Sequence, residues 1–165
     1  MTFDDADHGR ANIMRDKDNC AACVMTHELR LRGFDITDLP YGNPTSISLS
    51  NDTREIWLTA KGKMPQWTAE IGGSEREIIA KIEKATQGIG SRYHLGWDAK
   101  TGEGHIITIV RTKDRLILYD PQRDEFWSLA DIIKEMKEGT KLQLLRVDRL
   151  LVRPELLNAL AEAIV

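Results

Sequence analysis

Two cysteines, Cys20 and Cys23, stand at the start of a segment whose pattern is typical of an α-helix. Asp18 or Asn19 could cap this helix by accepting a hydrogen bond from a backbone N–H of its first turn. Cys20 would then lie beside unpaired backbone N–H groups, where the helix dipole is positive and a thiolate is stabilised. The sequence therefore predicts a nucleophilic cysteine, with Cys20 favoured over Cys23 because it is nearer the helix end.

A β-hairpin is the clearest pattern in the chain, and it begins with a histidine and ends with an aspartate. A β-branched run, a polar turn at 111–114 and a returning apolar run follow one another. A loop of even length places Val110 opposite Arg115, and pairing outward from there sets His105 opposite Asp120. The sequence thus predicts that His105 and Asp120 are neighbours on one face of a sheet.

These residues supply a nucleophile, a base and an orienting group. His105 would take the proton of Cys20 and later deliver it to a leaving amine, while Asp120 would hold the imidazole and stabilise the imidazolium. The substrate would be an amide or thioester carbonyl that is attacked to form an acyl-enzyme. The side-chain amides of Asn19 and Gln122 adjoin this set and are the candidate donors to the oxyanion.

Other interpretations of the paired cysteines have less support. A thioredoxin-type redox pair needs a buried strand before the helix, and residues 1–18 contain no apolar run. A zinc site could use both cysteines with His27, but a second CxxC or an HxxxH is absent from the sequence. A helical cysteine is often a small core hydrophobe, which is the structural alternative for both thiols. We therefore expect neither a metal nor a cofactor.

Composition and charge limit the class of protein. The 165 residues are 41% hydrophobic and 30% charged with a net charge of −3, which is typical of a soluble globular protein without a nucleic-acid footprint. No run reaches membrane-spanning length, and the first residues lack the basic and apolar regions of a signal peptide. We expect no nucleic-acid partner and no membrane insertion. The protein would be made in the cytosol, or delivered by a route without a cleaved signal peptide.

The order of predicted elements indicates a single α+β domain over residues 1–165. An irregular polar arm over 1–18 leads to the cysteine helix at about 20–32, and residues 34–73 have a loop-rich composition. The later elements are a capping-box helix from Ser74 to near Gly88, an extended segment at 91–97, the hairpin, a helix after Ser128, a strand at 141–147 and a last helix opened by Pro154.

Four stretches of the chain together form a joint motif. They are Asn19-Cys20-x-x-Cys23, the run Glu28–Asp35, Gly104-His105 and Tyr119-Asp120-Pro121-Gln122. This motif resembles the papain-fold toxin domains of bacterial polymorphic toxins, which are similar to domains of phage head-morphogenesis-like proteins. The spacing from histidine to aspartate also resembles that of effector glutamine deamidases with this fold. The resemblance spans about residues 6–127.

The resemblance implies a catalytic set of Cys20, His105 and Asp120 on a papain-like core, with the cysteine helix packed on a small antiparallel sheet and flanked by further helices. It also implies a toxin or effector, made in the bacterial cytoplasm and delivered to a target cell, that deamidates a glutamine of a target protein. A cognate immunity protein would be a second partner. A cysteine protease or a transglutaminase could use the same triad, and a non-catalytic binding module of a phage or secretion particle is the alternative outside the enzymes.

Overall fold

The computed structural model describes residues 20–34, 36 and 52–158, and it has an α+β fold. A 3-10 helix at Thr53–Ile56 precedes β1, and residues 154–158 are helical. The other elements are α1 (Cys20–Leu31), β1 (Trp57–Leu58), β2 (Ala69–Ile71), α2 (Glu75–Ala85), β3 (Arg92–Asp98), β4 (Gly104–Arg111), β5 (Leu116–Asp120), β6 (Glu125–Trp127), α3 (Leu129–Glu135), β7 (Leu142–Arg146) and β8 (Leu151–Val152). The predicted fold class, with a cysteine helix preceding an antiparallel sheet and further helices, is confirmed.

The main sheet has six strands in the order β2-β7-β3-β4-β5-β6, and each neighbouring pair is antiparallel. One face of this sheet joins α2 and α3 in a continuous apolar core. Leu95 and Ile107 pair across the two central strands and are fully buried there, with Ile82 of α2 and Ile132 of α3 in the same cluster. Residues 93–97 of β3 and 105–109 of β4 are all buried, so these two central strands are covered on both faces.

The chain divides into two compact units. One comprises Gln66–Asp120 and Glu125–Asp148, and it contains the six-stranded sheet with α2 and α3. The other comprises Met1–Pro65, Pro121–Asp124 and Arg149–Val165. Its described part contains α1 and a two-stranded sheet of β1 and β8.

Helix α1 confirms the predicted cysteine helix. It is buried on all sides, whereas an amphipathic surface helix buries only one apolar face. Every residue from Ala21 to Arg30 is buried, including the polar side chains of Thr26, His27 and Glu28. A helix that is buried on all sides must satisfy its polar groups inside the protein. The sequence does not reveal this burial, because threonine and glutamate side chains are mostly exposed in proteins.

The charge of Glu28 is neutralised within the same unit. Arg32 donates to the Glu28 carboxylate at 2.9 Å and to the backbone carbonyl of Leu150 at 2.7 Å. The guanidinium of Arg32 also stands 5.0 Å from the centre of the Trp57 ring, within the range of a cation–π contact. One arginine therefore ties the end of α1 to two other segments of its unit.

Gly33 ends α1 in the left-handed conformation that the sequence predicts, with φ at 100°. The Gly33 N–H donates to the Arg30 carbonyl at 2.9 Å, and the Phe34 N–H donates to the Leu29 carbonyl at 3.0 Å. These two bonds are those of a Schellman motif, which satisfies the last carbonyls of a helix. The end of α1 is therefore set by local backbone geometry.

Three short strands are not predicted from the sequence. β2, β6 and β8 have two or three residues each, and β2 lies in the region 61–73, where the sequence indicates only loop. Their pairing partners are distant in the chain for β2 and β8, and strands this short carry almost no periodicity. The predicted arm over 1–18 and most of the predicted loop region before residue 52 lie outside the described residues.

Replacement of Gly33 by alanine should lower the free energy of unfolding by about 1 kcal/mol, because a Cβ disfavours a positive φ. Gly33→Asn is the matched control, since asparagine tolerates the left-handed region better than other side chains. Urea unfolding of the two variants and the wild type measures the difference. Equal stability of Gly33→Ala and the wild type would contradict the Schellman ending.

Candidate active site

His105 and Asp120 form a short hydrogen bond inside the unit that contains the six-stranded sheet. His105 Nε2 lies 2.6 Å from Asp120 Oδ2. Asp120 is 0% exposed and His105 is 9% exposed. A carboxylate so far from water is stable only with hydrogen-bond donors, and a bond that involves an ionised group is short and strong. Because Asp120 engages Nε2, proton exchange with a substrate or a thiol would take place at Nδ1 of this ring.

The hairpin that carries this pair differs in register from the prediction. Val110 pairs with Ile117 and not with Arg115, so the connecting loop is 112–115 and the pairing is displaced by two residues. The Thr112 N–H donates to the Arg115 carbonyl at 2.9 Å, and the Arg115 N–H donates to the Thr112 hydroxyl at 3.1 Å. These bonds close the loop one residue later than the sequence pattern indicates.

The predicted contact between His105 and Asp120 is retained, because the register is displaced by an even number of residues. A shift of two residues keeps each side chain on its own face of the sheet, whereas a shift of one would reverse the faces. Continued by one residue, the observed register sets Asp120 opposite Ile107, two residues along β4 from His105. His105 and Asp120 are thus diagonal neighbours and not direct partners. Their contact is present as predicted, and their catalytic roles remain a prediction.

Two tryptophan rings stand beside the imidazole. Trp97 pairs with His105 across β3 and β4, and their rings meet edge to face with centroids 5.2 Å apart. The Trp127 ring centroid lies 6.4 Å from that of His105 and 5.7 Å from that of Trp97. These rings keep water from the imidazole, which strengthens its bond to Asp120. The sequence identifies both tryptophans only as core or pocket wall, because the pairing of β3 with β4 is what places Trp97 at His105.

Cys20 is the first residue of α1, and its side chain is partly exposed. Cys23, one turn further along, is fully buried, and both are free thiols. The difference in exposure agrees with the choice of Cys20 as nucleophile, since a reactive cysteine must be reached by its substrate. Asn19, the predicted cap and oxyanion donor, lies outside the described residues. Cys20 belongs to one of the two units, and the histidine and aspartate belong to the other, which contains the six-stranded sheet.

Gln122, the other candidate oxyanion donor, lies in the four-residue turn between β5 and β6. Its side chain is buried, with 8% of its surface exposed. The turn ends at Asp124, whose φ of 53° lies in the left-handed region. Pro121 ends β5 as the sequence predicts, because proline cannot continue the ladder. A role for Gln122 at an oxyanion remains a prediction.

Two further histidines are buried. His94 and His27 are both 0% exposed, the first on β3 and the second in α1. Across the described ranges, no group of three or more histidine, cysteine or carboxylate side chains is arranged to hold a metal ion. No helix in this part of the chain combines the length and the apolar character needed to cross a bilayer.

Comparison with known proteins gives a distant structural likeness. No family model matches the sequence, and no curated protein matches it. A crystal structure of the Pseudomonas avirulence protein AvrPphB is similar at 14% sequence identity and a TM-score of 0.36, over 50% of this chain and 49% of that one. The likeness thus spans about half of each protein. At this level it assigns no function.

Substitution of either partner in the buried pair should destabilise the protein. His105→Ala and Asp120→Ala should each lower the free energy of unfolding by about 3 kcal/mol, because each removes one partner of a buried hydrogen bond to a carboxyl group. The double variant should lose less than the sum of the two, by about 1–3 kcal/mol. Chemical denaturation of the four proteins gives this coupling free energy.

The control cycle combines His105→Ala with Asp148→Ala. Asp148 accepts a hydrogen bond from the backbone N–H of Arg92, at the far end of β3 from the residue that pairs with His105. Effects at such a separation add to within roughly 0.5 kcal/mol. Additive effects for His105 and Asp120 as well would show that their contact does not stabilise the fold.

Proposed function

We propose that this protein is a cysteine-dependent amidohydrolase, in which Cys20 is the nucleophile, His105 the general base and acid, and Asp120 the orienting group. The buried hydrogen bond between His105 and Asp120 is the observation that carries this proposal. A histidine held by a buried carboxylate through one ring nitrogen is the arrangement that activates a nucleophile at the other nitrogen.

The position of Cys20 supports its part in this set. A thiol at the first residue of a helix experiences the positive end of the dipole, and backbone N–H groups of that turn have no partner within the helix. The same N–H groups are suited to receive the negative charge that develops on a carbonyl oxygen, with Asn19 and Gln122 as additional donors.

The substrate we propose is the side-chain amide of a glutamine in a target protein. His105 removes the proton of Cys20, and the thiolate attacks the amide carbon. His105 then protonates the leaving nitrogen, so that ammonia departs and a thioester remains. His105 next takes a proton from water, which attacks the thioester. The products are a glutamate side chain and the free Cys20 thiol.

The choice of glutamine over a peptide bond rests on the joint motif, which resembles papain-fold toxins and effector deamidases. On this basis the chain is a papain-like toxin or effector of bacterial competition. A cognate immunity protein and delivery into a target cell without a cleaved signal peptide follow from the same resemblance. Peptidase and acyl-transfer chemistry would pass through the same thioester, and they differ only in which carbonyl enters and which acceptor follows.

The test is mass spectrometry of target-cell proteins incubated with the purified protein and its variants. Wild type should convert a glutamine to glutamate, and Cys20→Ala should abolish the conversion because the nucleophile is absent. Asp120→Asn should slow it by roughly 10²- to 10⁴-fold, since the imidazole loses its orienting carboxylate. Cys23→Ala is the matched control, because it removes a buried thiol and should leave the conversion intact.

Three other results would change or exclude this proposal. Cleaved chains with the same pattern across the variants would replace deamidation by proteolysis and keep the triad. Loss of activity in Cys23→Ala but not in Cys20→Ala would move the nucleophile. Two observations together would exclude the enzyme and favour the binding module. The first is that no covalent product forms with any protein. The second is that iodoacetamide alkylates Cys20 no faster than an ordinary thiol, and at the same rate in His105→Ala.

A further inference from the structure

A cleft of about 380 Å³ follows strand β6, lined by Glu125, Phe126, Trp127 and Asp131. The cleft is shallow and largely open to solvent. Consecutive residues of a strand point to opposite faces, so a cleft lined by three consecutive residues must run along the edge of the strand. β6 is the last strand of its sheet, and no strand of the described chain covers that edge.

The lining of the cleft combines negative charge with aromatic surface. Glu125 and Asp131 are exposed, and neither forms an ion pair with any residue of the described ranges. Phe126 is 64% exposed, which is unusual for a large apolar side chain, and Trp127 is partly exposed. Carboxylates bind a guanidinium or ammonium group by ion pairing, and ring faces bind it by cation–π attraction. The chemistry of the cleft therefore suits a cation.

The cleft adjoins the buried histidine and aspartate within the same unit. Trp127 forms one wall of the cleft, and its ring centroid lies 6.4 Å from that of His105. Glu125 is the direct partner of Asp120 across β5 and β6. A ligand held in the cleft would thus lie one strand away from Asp120 on β5 and two strands away from His105 on β4.

We infer that this cleft binds a basic side chain of the polypeptide substrate, arginine in the first place, and so positions the reacting residue at His105. Arginine is favoured over lysine because its planar guanidinium stacks on a ring and pairs with a carboxylate at once. The open edge of β6 favours a polypeptide as the source of the cation, since an extended segment can lie along an uncovered strand. The identity of the substrate rests on the proposed function, whereas binding of a cation does not.

Binding is measured by NMR on the Cys20→Ala variant, which cannot react. The probes are Nα-acetyl-arginine amide and its neutral analogue Nα-acetyl-citrulline amide, and the signal is the indole N–H of Trp127, assigned with Trp127→Phe. We expect the arginine probe to shift this signal and the citrulline probe to leave it unchanged. Glu125→Gln and Asp131→Asn should each weaken arginine binding about two- to fivefold, as is usual for exposed ion pairs, and added salt should weaken it further.

Glu75→Gln is the matched control for Asp131→Asn, because Glu75 is an exposed carboxylate in the first turn of α2 as Asp131 is in that of α3. It should leave arginine binding unchanged. Equal shifts with arginine and citrulline, or an equal loss of affinity in Glu75→Gln, would overturn the inference. Tighter binding of Nα-acetyl-lysine amide would support the cleft as a cation-binding site and exclude its preference for arginine.

Turnover separates this inference from the proposed function. Peptides with a glutamine next to arginine or next to citrulline are offered to the wild-type protein, and deamidation should be faster with arginine. Equal deamidation of both peptides would contradict the role of the cleft and support the proposed chemistry. Arginine binding in Cys20→Ala, with no change to any peptide or target protein by the wild type, would support the cleft and contradict the chemistry.

Discussion

The hydrogen bond between His105 and Asp120 is the constraint on which one end of the sheet depends. A carboxylate with no exposed surface is tolerated only where donors replace the water it has lost. The imidazole supplies such a donor at 2.6 Å, and it can do so only if β4 and β5 present the two side chains on one face. The pairing of β4 with β5 and the loop that joins them position this contact. The rings beside the imidazole shield it from water.

Aromatic side chains connect this contact with the surface of the protein. Trp97 closes one side of His105 from the neighbouring strand, and Trp127 stands between the imidazole and the acidic cleft along β6. One ring therefore belongs both to the surroundings of the candidate base and to the candidate recognition cleft. A substituent on that ring, or its removal, would alter both at once, which is why the carboxylates of the cleft are the better places to separate binding from chemistry.

Helix α1 depends on polar contacts within its own unit. Ala21 to Arg30 are buried on every side, so the polar residues among them must be satisfied within the protein. Arg32 neutralises Glu28 through a salt bridge, and it also donates a hydrogen bond to the carbonyl of Leu150. These contacts fix the end of α1 within its unit, and Cys20, the candidate nucleophile, is the first residue of the same helix.

Local interactions let the sequence alone predict a large part of this protein. The extent of α1, its end at Gly33, the capping box of Ser74 and Glu77 and the presence of the β4–β5 hairpin depend on hydrogen bonds between residues a few positions apart. The even length of the hairpin loop was enough to bring His105 and Asp120 to one face. Tertiary structure decided the displacement of the register by two residues, the short strands β2, β6 and β8, the complete burial of α1 and the cleft along β6. These features depend on contacts between distant segments, and the sequence periodicity of a single segment carries no record of them.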